Sequence, residues 1–120
     1  MARYVDGFVV PVPKKKLSEY RKMARKAATV WRDHGALEYR EAVADDVKPG
    51  KYTSFPQSVK LKAGETVIFA WIVYKSRKDR DRINAAVMKD KRLASMMDLK
   101  NLPFDGKRMF WGGFKTFVEK

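Results

Sequence analysis

The chain has 120 residues, no cysteine and one histidine, and its 27 lysines and arginines against 14 acidic residues leave a formal charge of +13. That length suits one domain over residues 1–120, and the missing cysteine excludes disulfides, thiolate metal sites and cysteine nucleophiles. The longest apolar run, residues 67–74, is far short of the roughly 20 residues of a membrane-spanning helix, and residues 8–10 are too short for a secretory signal, so a cytoplasmic protein with no membrane association is expected.

Residues 4–10 are rich in aromatic and branched side chains and read as a first strand, ended by Pro11 and Pro13. From about residue 16 to 34, Leu17, Tyr20, Ala24, Ala27 and Trp31 recur at spacings of three and four. That periodicity puts them on one face of a helix, which Gly35 stops. Residues 37–43 alternate Leu37, Tyr39, Glu41 and Val43 against Glu38, Arg40 and Ala42, the pattern of a strand near a sheet edge. Lys48-Pro49-Gly50-Lys51 is a turn. Residues 52–64 fit either a short strand or an irregular cover, since Phe55-Pro56 interrupts regular structure while Val59 and Leu61 alternate with lysines.

Residues 66–74 are apolar in both alternating rows, with Phe69, Trp71 and Val73 in one and Ile68, Ala70, Ile72 and Tyr74 in the other. A strand of this kind must be covered on both faces. Ser76 offers an N-cap with Asp79 three residues on, and a second helix follows through Ile83 and Val87 toward Leu93 and Met97, with a break near Asp90-Lys91. Residues 103–107 read as a loop and 108–118 as the last strand. Within it, Gly112-Gly113 marks a bulge or a close backbone approach to a dimer mate or a ligand.

The order strand, helix, strand, strand, helix, strand is the ferredoxin-like α+β arrangement, a four-stranded antiparallel sheet with two helices on one face. The other sheet face is then bare and apolar, more than a soluble monomer usually exposes. A homodimer packed sheet to sheet resolves this, with Phe69, Trp71 and Val73 in its interface.

The opening YVDGFVVPVPKKKLSEYRKMARKAATVWRDHGALEYREAVADDVKPGK, the central FAWIVYKSR and the closing PFDGKRMFWGGF resemble the YbaA-like family of small bacterial proteins of unknown function. The resemblance spans nearly the whole chain and implies membership of the dimeric α+β barrel superfamily, hence a dimer. It implies no activity and no catalytic residue.

The positive charge is concentrated in the two helices. Residues 14–32 hold eight basic residues against Glu19, and residues 75–92 hold eight against Asp79, Asp81 and Asp90. On one sheet face the two would join into a basic surface, with Arg21, Lys22, Arg25, Arg80 and Arg82 as contacts for a polyanion such as RNA, without sequence specificity. Against that stands plain solvation, since lysine and arginine are good helix formers and keep a protein soluble. The run Phe69 to Tyr74 also resembles the last six positions of the RNA recognition motif's third strand. Val67-Ile68 replaces its basic residue and glycine, and the basic excess lies on the helix side, away from the open sheet where bases stack in such modules.

A pocket between sheet and helices is the other place for function, and the sequence fits a small-molecule binder or a cofactor-free enzyme there. His34 is the one group whose ordinary pKa suits acid or base work, although a histidine ending a helix is favoured by the dipole alone. Asp6 interrupts the apolar row of Tyr4, Phe8 and Val10 and needs a partner, which Arg40 or His34 is expected to supply. These three are the weak catalytic candidates, and Trp31, Tyr39 and Trp111 are candidates for the pocket wall. No phosphate loop, catalytic triad or histidine-rich spacing is present, so neither a metal nor a cofactor is expected.

Overall fold

The computed structural model describes residues 2–96 and 101–120. Its order is β1 (Tyr4–Pro13), α1 (Leu17–Asp33), β2 (Glu38–Val43), α2 (Phe55–Ser58), β3 (Glu65–Tyr74), α3 (Arg77–Met88), α4 (Lys91–Met96) and β4 (Phe110–Lys115), with a 3-10 turn at Lys14–Lys16 before α1. The strands form one sheet in the order β2-β3-β1-β4, with every neighbouring pair antiparallel. This is the ferredoxin-like α+β arrangement that the strand and helix order predicts.

β1 runs through both prolines that the sequence reading takes as its end. The reason lies in strand alternation. The amide of Lys14 bonds the carbonyl of Gly64 on the β3 side, so even-numbered residues of β1 face β3 and odd-numbered ones face β4. Pairing with β4 stops at Val9, so Pro11 and Pro13 lack an amide only where no partner stands. β4 is shorter than the expected 108–118 because β1 offers no further ladder beyond Val9 at one end, and at the other only the amide of Thr116 reaches Arg3.

The core lies between the sheet and the helices. The even row of β1, the row Ile68, Ala70, Ile72 and Tyr74 of β3, and Tyr39 of β2 meet Tyr20 and Val30 of α1 and Ile83 and Val87 of α3. Ile83 and Val87 are fully buried, which contributes about 1.5–3 kcal/mol for each side chain. Gly35, at φ +115°, ends α1 in the left-handed region that glycine tolerates best. α3 starts where Ser76 accepts the amide of Asp79 at 3.1 Å, as the N-cap reading expects. α3 breaks at Lys89-Asp90, and α4 continues to Met96; the expected end at Met97 falls outside the described residues.

Residues 52–64, left open between strand and cover, are a cover. Ser54 caps the one-turn α2 by accepting the amide of Gln57 at 3.2 Å, and Val59 is buried with Val9 and Val67 on the sheet face away from α1 and α3. Phe55 meets Phe69 edge-on at 5.7 Å. The cover reaches only part of that face: Phe69, Phe110 and Phe114 remain exposed. Gly112-Gly113 is no bulge, because the β1–β4 register runs unbroken through it. Gly113 is a close approach, but to Tyr4 of the same chain.

Candidate functional site

The inward face of α1 carries two large residues, Tyr20 and Trp31, with Ala24 and Ala27 between them, opposite Ala70 of β3. Small residues facing one another leave space that the large ones frame, and the result is a cavity of about 180 Å³ between α1 and the sheet. Phe8, Val10 and Ile72 form its floor, and Leu93, Met96, Phe104 and Met109 close it from α4 and the segment before β4.

Among the described residues its one charged wall residue is Glu41 of β2. Tyr20 donates its phenol to Glu41 Oε1, and Tyr39 donates to Oε2 at 2.7 Å. Burial, together with the Glu41 carboxylate, pushes both phenols well above their ordinary pKa of 10. They therefore stay protonated and act as donors that hold the carboxylate. Each carboxylate oxygen keeps a further acceptor direction, available to a hydroxyl or an ammonium.

Beyond Glu41 the cavity adjoins an outer groove of about 340 Å³ between α1 and the edge strand β2. Tyr20, Ala24, Tyr39 and Glu41 belong to both spaces, and Arg21 and Arg25 line the groove. Apolar interior, carboxylate and guanidinium groups thus follow one another from inside to outside. Such a site can hold an apolar body and bind a polar group; the carboxylate can also accept a proton.

Asp6 forms a separate polar island, 1% exposed. Neither expected partner reaches it: Arg40 lies on the other sheet face beside Glu38, and His34 pairs with Asp90 at 2.8 Å. The partners come from α3 and β3 instead. Tyr74 donates to Asp6 Oδ2 at 3.1 Å, Asn84 at 3.5 Å, and Arg80 Nη1 stands 3.8 Å from Oδ1. Burial pushes the Asp6 carboxyl up, while Arg80 pulls it down. Trp31 donates its indole N–H to Asn84 at 3.0 Å, tying this island to the cavity wall.

Of the expected wall residues, Trp31 and Tyr39 line the cavity. Trp111 stacks on Phe8 at 6.0 Å and stays outside the wall. Phe69, Trp71 and Val73 lie together on the open sheet face, with Phe69 and Trp71 rings 5.5 Å apart. The candidate polyanion contacts differ in their surroundings. Arg21, Lys22 and Arg25 are exposed on α1, but Arg80 is turned inward against the Tyr4 ring and Asp6, and Arg82 is bonded to Asp79 at 2.7 Å. Paired arginines offer a polyanion less.

Glu41 and Tyr20 are the site residues that the pattern reading misses. Tyr20 sits in an apolar helical stripe and reads as core. Glu41 gives a signal of the kind Asp6 gives: a carboxylate in the inward row of a strand, with Tyr39 and Val43 on either side.

A family model described as "Protein of unknown function (DUF1428)" matches residues 3–106. "Uncharacterized protein YbaA" of Escherichia coli K12 and the protein of that name in Shigella flexneri are each 45% identical over 118 residues, covering 98% of this chain and 99% of theirs. Among solved structures, a dimeric ferredoxin-like protein from an uncultured marine organism aligns over 100% of both chains with a TM-score of 0.63 and 9% identity. A nipsnap family protein with unknown function from Agrobacterium tumefaciens covers 95% of this chain and 87% of its own, with a TM-score of 0.58 and 12% identity. At these identities the structural likeness is one of fold.

Proposed function

The chain belongs to the DUF1428 family of proteins of unknown function, and on that footing we propose that it is a small-molecule-binding protein, its ligand held between α1 and the sheet. One observation carries this reading: an apolar cavity whose single charged wall residue, among the described residues, is a carboxylate held by two phenols. Core positions are normally filled to near-crystalline density, so a void framed by Ala24, Ala27 and Ala70 is unusual. Even a half-buried carboxylate needs partners for its charge, and here two tyrosines are committed to it. About 180 Å³ is below the ~300–1,000 Å³ of drug-sized sites, which points to a small metabolite. A cofactor-free enzyme would use the same groups, with Glu41 as the proton acceptor and the two phenols fixing its orientation.

The functional unit in this proposal is a homodimer joined through the open sheet face. Phe69, Phe110 and Phe114 stand exposed there, and one similar solved structure is described as a dimeric ferredoxin-like protein.

Native mass spectrometry of protein purified without high salt tests the pocket, alongside an Ala24→Phe variant that fills it. A reproducible small mass on the wild type, lost from the variant, is the expected result. Bare protein in both, together with no change in melting temperature when small aromatic compounds are added, would overturn the reading.

A further inference from the structure

The groove that adjoins the cavity holds opposite charges that do not use one another. Among the described residues, Glu41 forms no ion pair and has only the two phenols as partners. Among the described residues Arg21 and Arg25 likewise have no carboxylate within ion-pair distance. Among the arginines they are the exception. Arg3, Arg40, Arg77, Arg80, Arg82, Arg92 and Arg108 all pair with carboxylates, and Arg32 donates to the carbonyls of Ala36 and Leu37.

Arg21 and Arg25 are four residues apart on α1, so they lie on the same side of the helix, one turn from each other. Both line the groove that Glu41 also lines, and Glu41 lines the apolar cavity as well. A ligand complementary to that order has an anionic group outside, a cationic donor in the middle and an apolar body inside. Resting on the pocket reading above, we propose that the site takes an apolar α-amino acid. Its ammonium meets Glu41, its carboxylate meets Arg21 and Arg25, and its side chain enters the cavity framed by Ala24, Ala27 and Ala70. An ammonium has three donors for the acceptor directions that the phenols leave on Glu41, and guanidinium groups match a carboxylate with paired N–H donors.

Calorimetric titration with L-leucine, L-methionine, L-phenylalanine and L-tryptophan tests this. Three part-ligands accompany them: 3-phenylpropionate lacks the ammonium, phenethylamine lacks the carboxylate, and propylbenzene lacks both. At least one amino acid should bind about tenfold or more tighter than every part-ligand, each tenfold step corresponding to about 1.4 kcal/mol. R21A/R25A should remove the advantage over phenethylamine, and Glu41→Gln the advantage over phenylpropionate, with melting curves showing that both variants are folded. A part-ligand that binds as tightly as the best amino acid would overturn the inference, and propylbenzene binding alone would do so while leaving the cavity reading intact. Failure of all compounds, propylbenzene included, would sink both.

Discussion

Gly113 and Glu65 show how much single residues decide in this protein. A Cβ on Gly113 would stand 2.7 Å from Cε2 and 2.9 Å from Cζ of Tyr4, whose ring lies over that glycine while Arg80 stacks on the ring 5.0 Å from its centroid. Gly113→Ala should therefore cost about 1–3 kcal/mol by forcing the phenol aside. Gly112→Ala, whose nearest contact would be 3.7 Å, should stay within about 0.5 kcal/mol. Urea unfolding of the two variants distinguishes this account from a general need for glycine in β4. Glu65 receives two N–H bonds from Arg108, at 2.8 and 2.6 Å, while Arg108 also reaches Asp105 and the carbonyls of Val59 and Lys60. Those bonds hold the Glu65 carboxyl below its ordinary value of 4.5. A lowered folded-state value means stability that is present above pH 4.5 and lost as the pH falls through the lowered one. Glu65→Gln should lower the unfolding free energy at pH 7 by about 1–3 kcal/mol and flatten its decline in acid. An acid decline as steep as in the wild type would contradict the assignment.

The helices and strands follow local rules with legible exceptions. Ser76 was recognisable as a cap because a serine preceding an apolar helical pattern satisfies an orphan amide, and it bonds Asp79 N at 3.1 Å. Ser76→Ala should cost about 1 kcal/mol, and thermal unfolding measures it; an unchanged midpoint would mean that the first turn of α3 is held by packing instead. The break after α3 was legible in the sequence as well. The far end of β1 was not, since a proline forbids a strand only where its missing amide faces a partner, and which side lacks one depends on where β4 stops. The cover at residues 52–64 was ambiguous for a similar reason. Val59 alternates with lysines as a strand would, yet it is buried against Val67 of β3 and against Val9 of β1, which is distant in sequence.

At the scale of the whole molecule, one sheet face is covered by α1 and α3 and the other, among the described residues, only from one end by residues 55–61. If a second copy covers the rest, Phe69→Lys with Phe110→Lys should shift sedimentation from two copies to one without changing the far-ultraviolet circular dichroism. A wild type that sediments as a single copy would defeat the dimer reading. No helix among the described residues is long and apolar enough to cross a membrane.

What the sequence by itself determined was the order of elements, the ferredoxin-like class and the two apolar rows of β3. These rest on spacing within a segment, where periods of two and 3.6 residues appear directly in the chain. Only the tertiary structure decided the partners of buried charges: Arg80, Tyr74 and Asn84 for Asp6, and Tyr20 with Tyr39 for Glu41. It also decided that Trp111 stands outside the cavity and that Arg80 faces inward. The physical reason is that a charge in a row announces a need without naming what meets it. The groups that meet Asp6 are 68 to 78 residues away in the chain, and the fold alone brings them within reach.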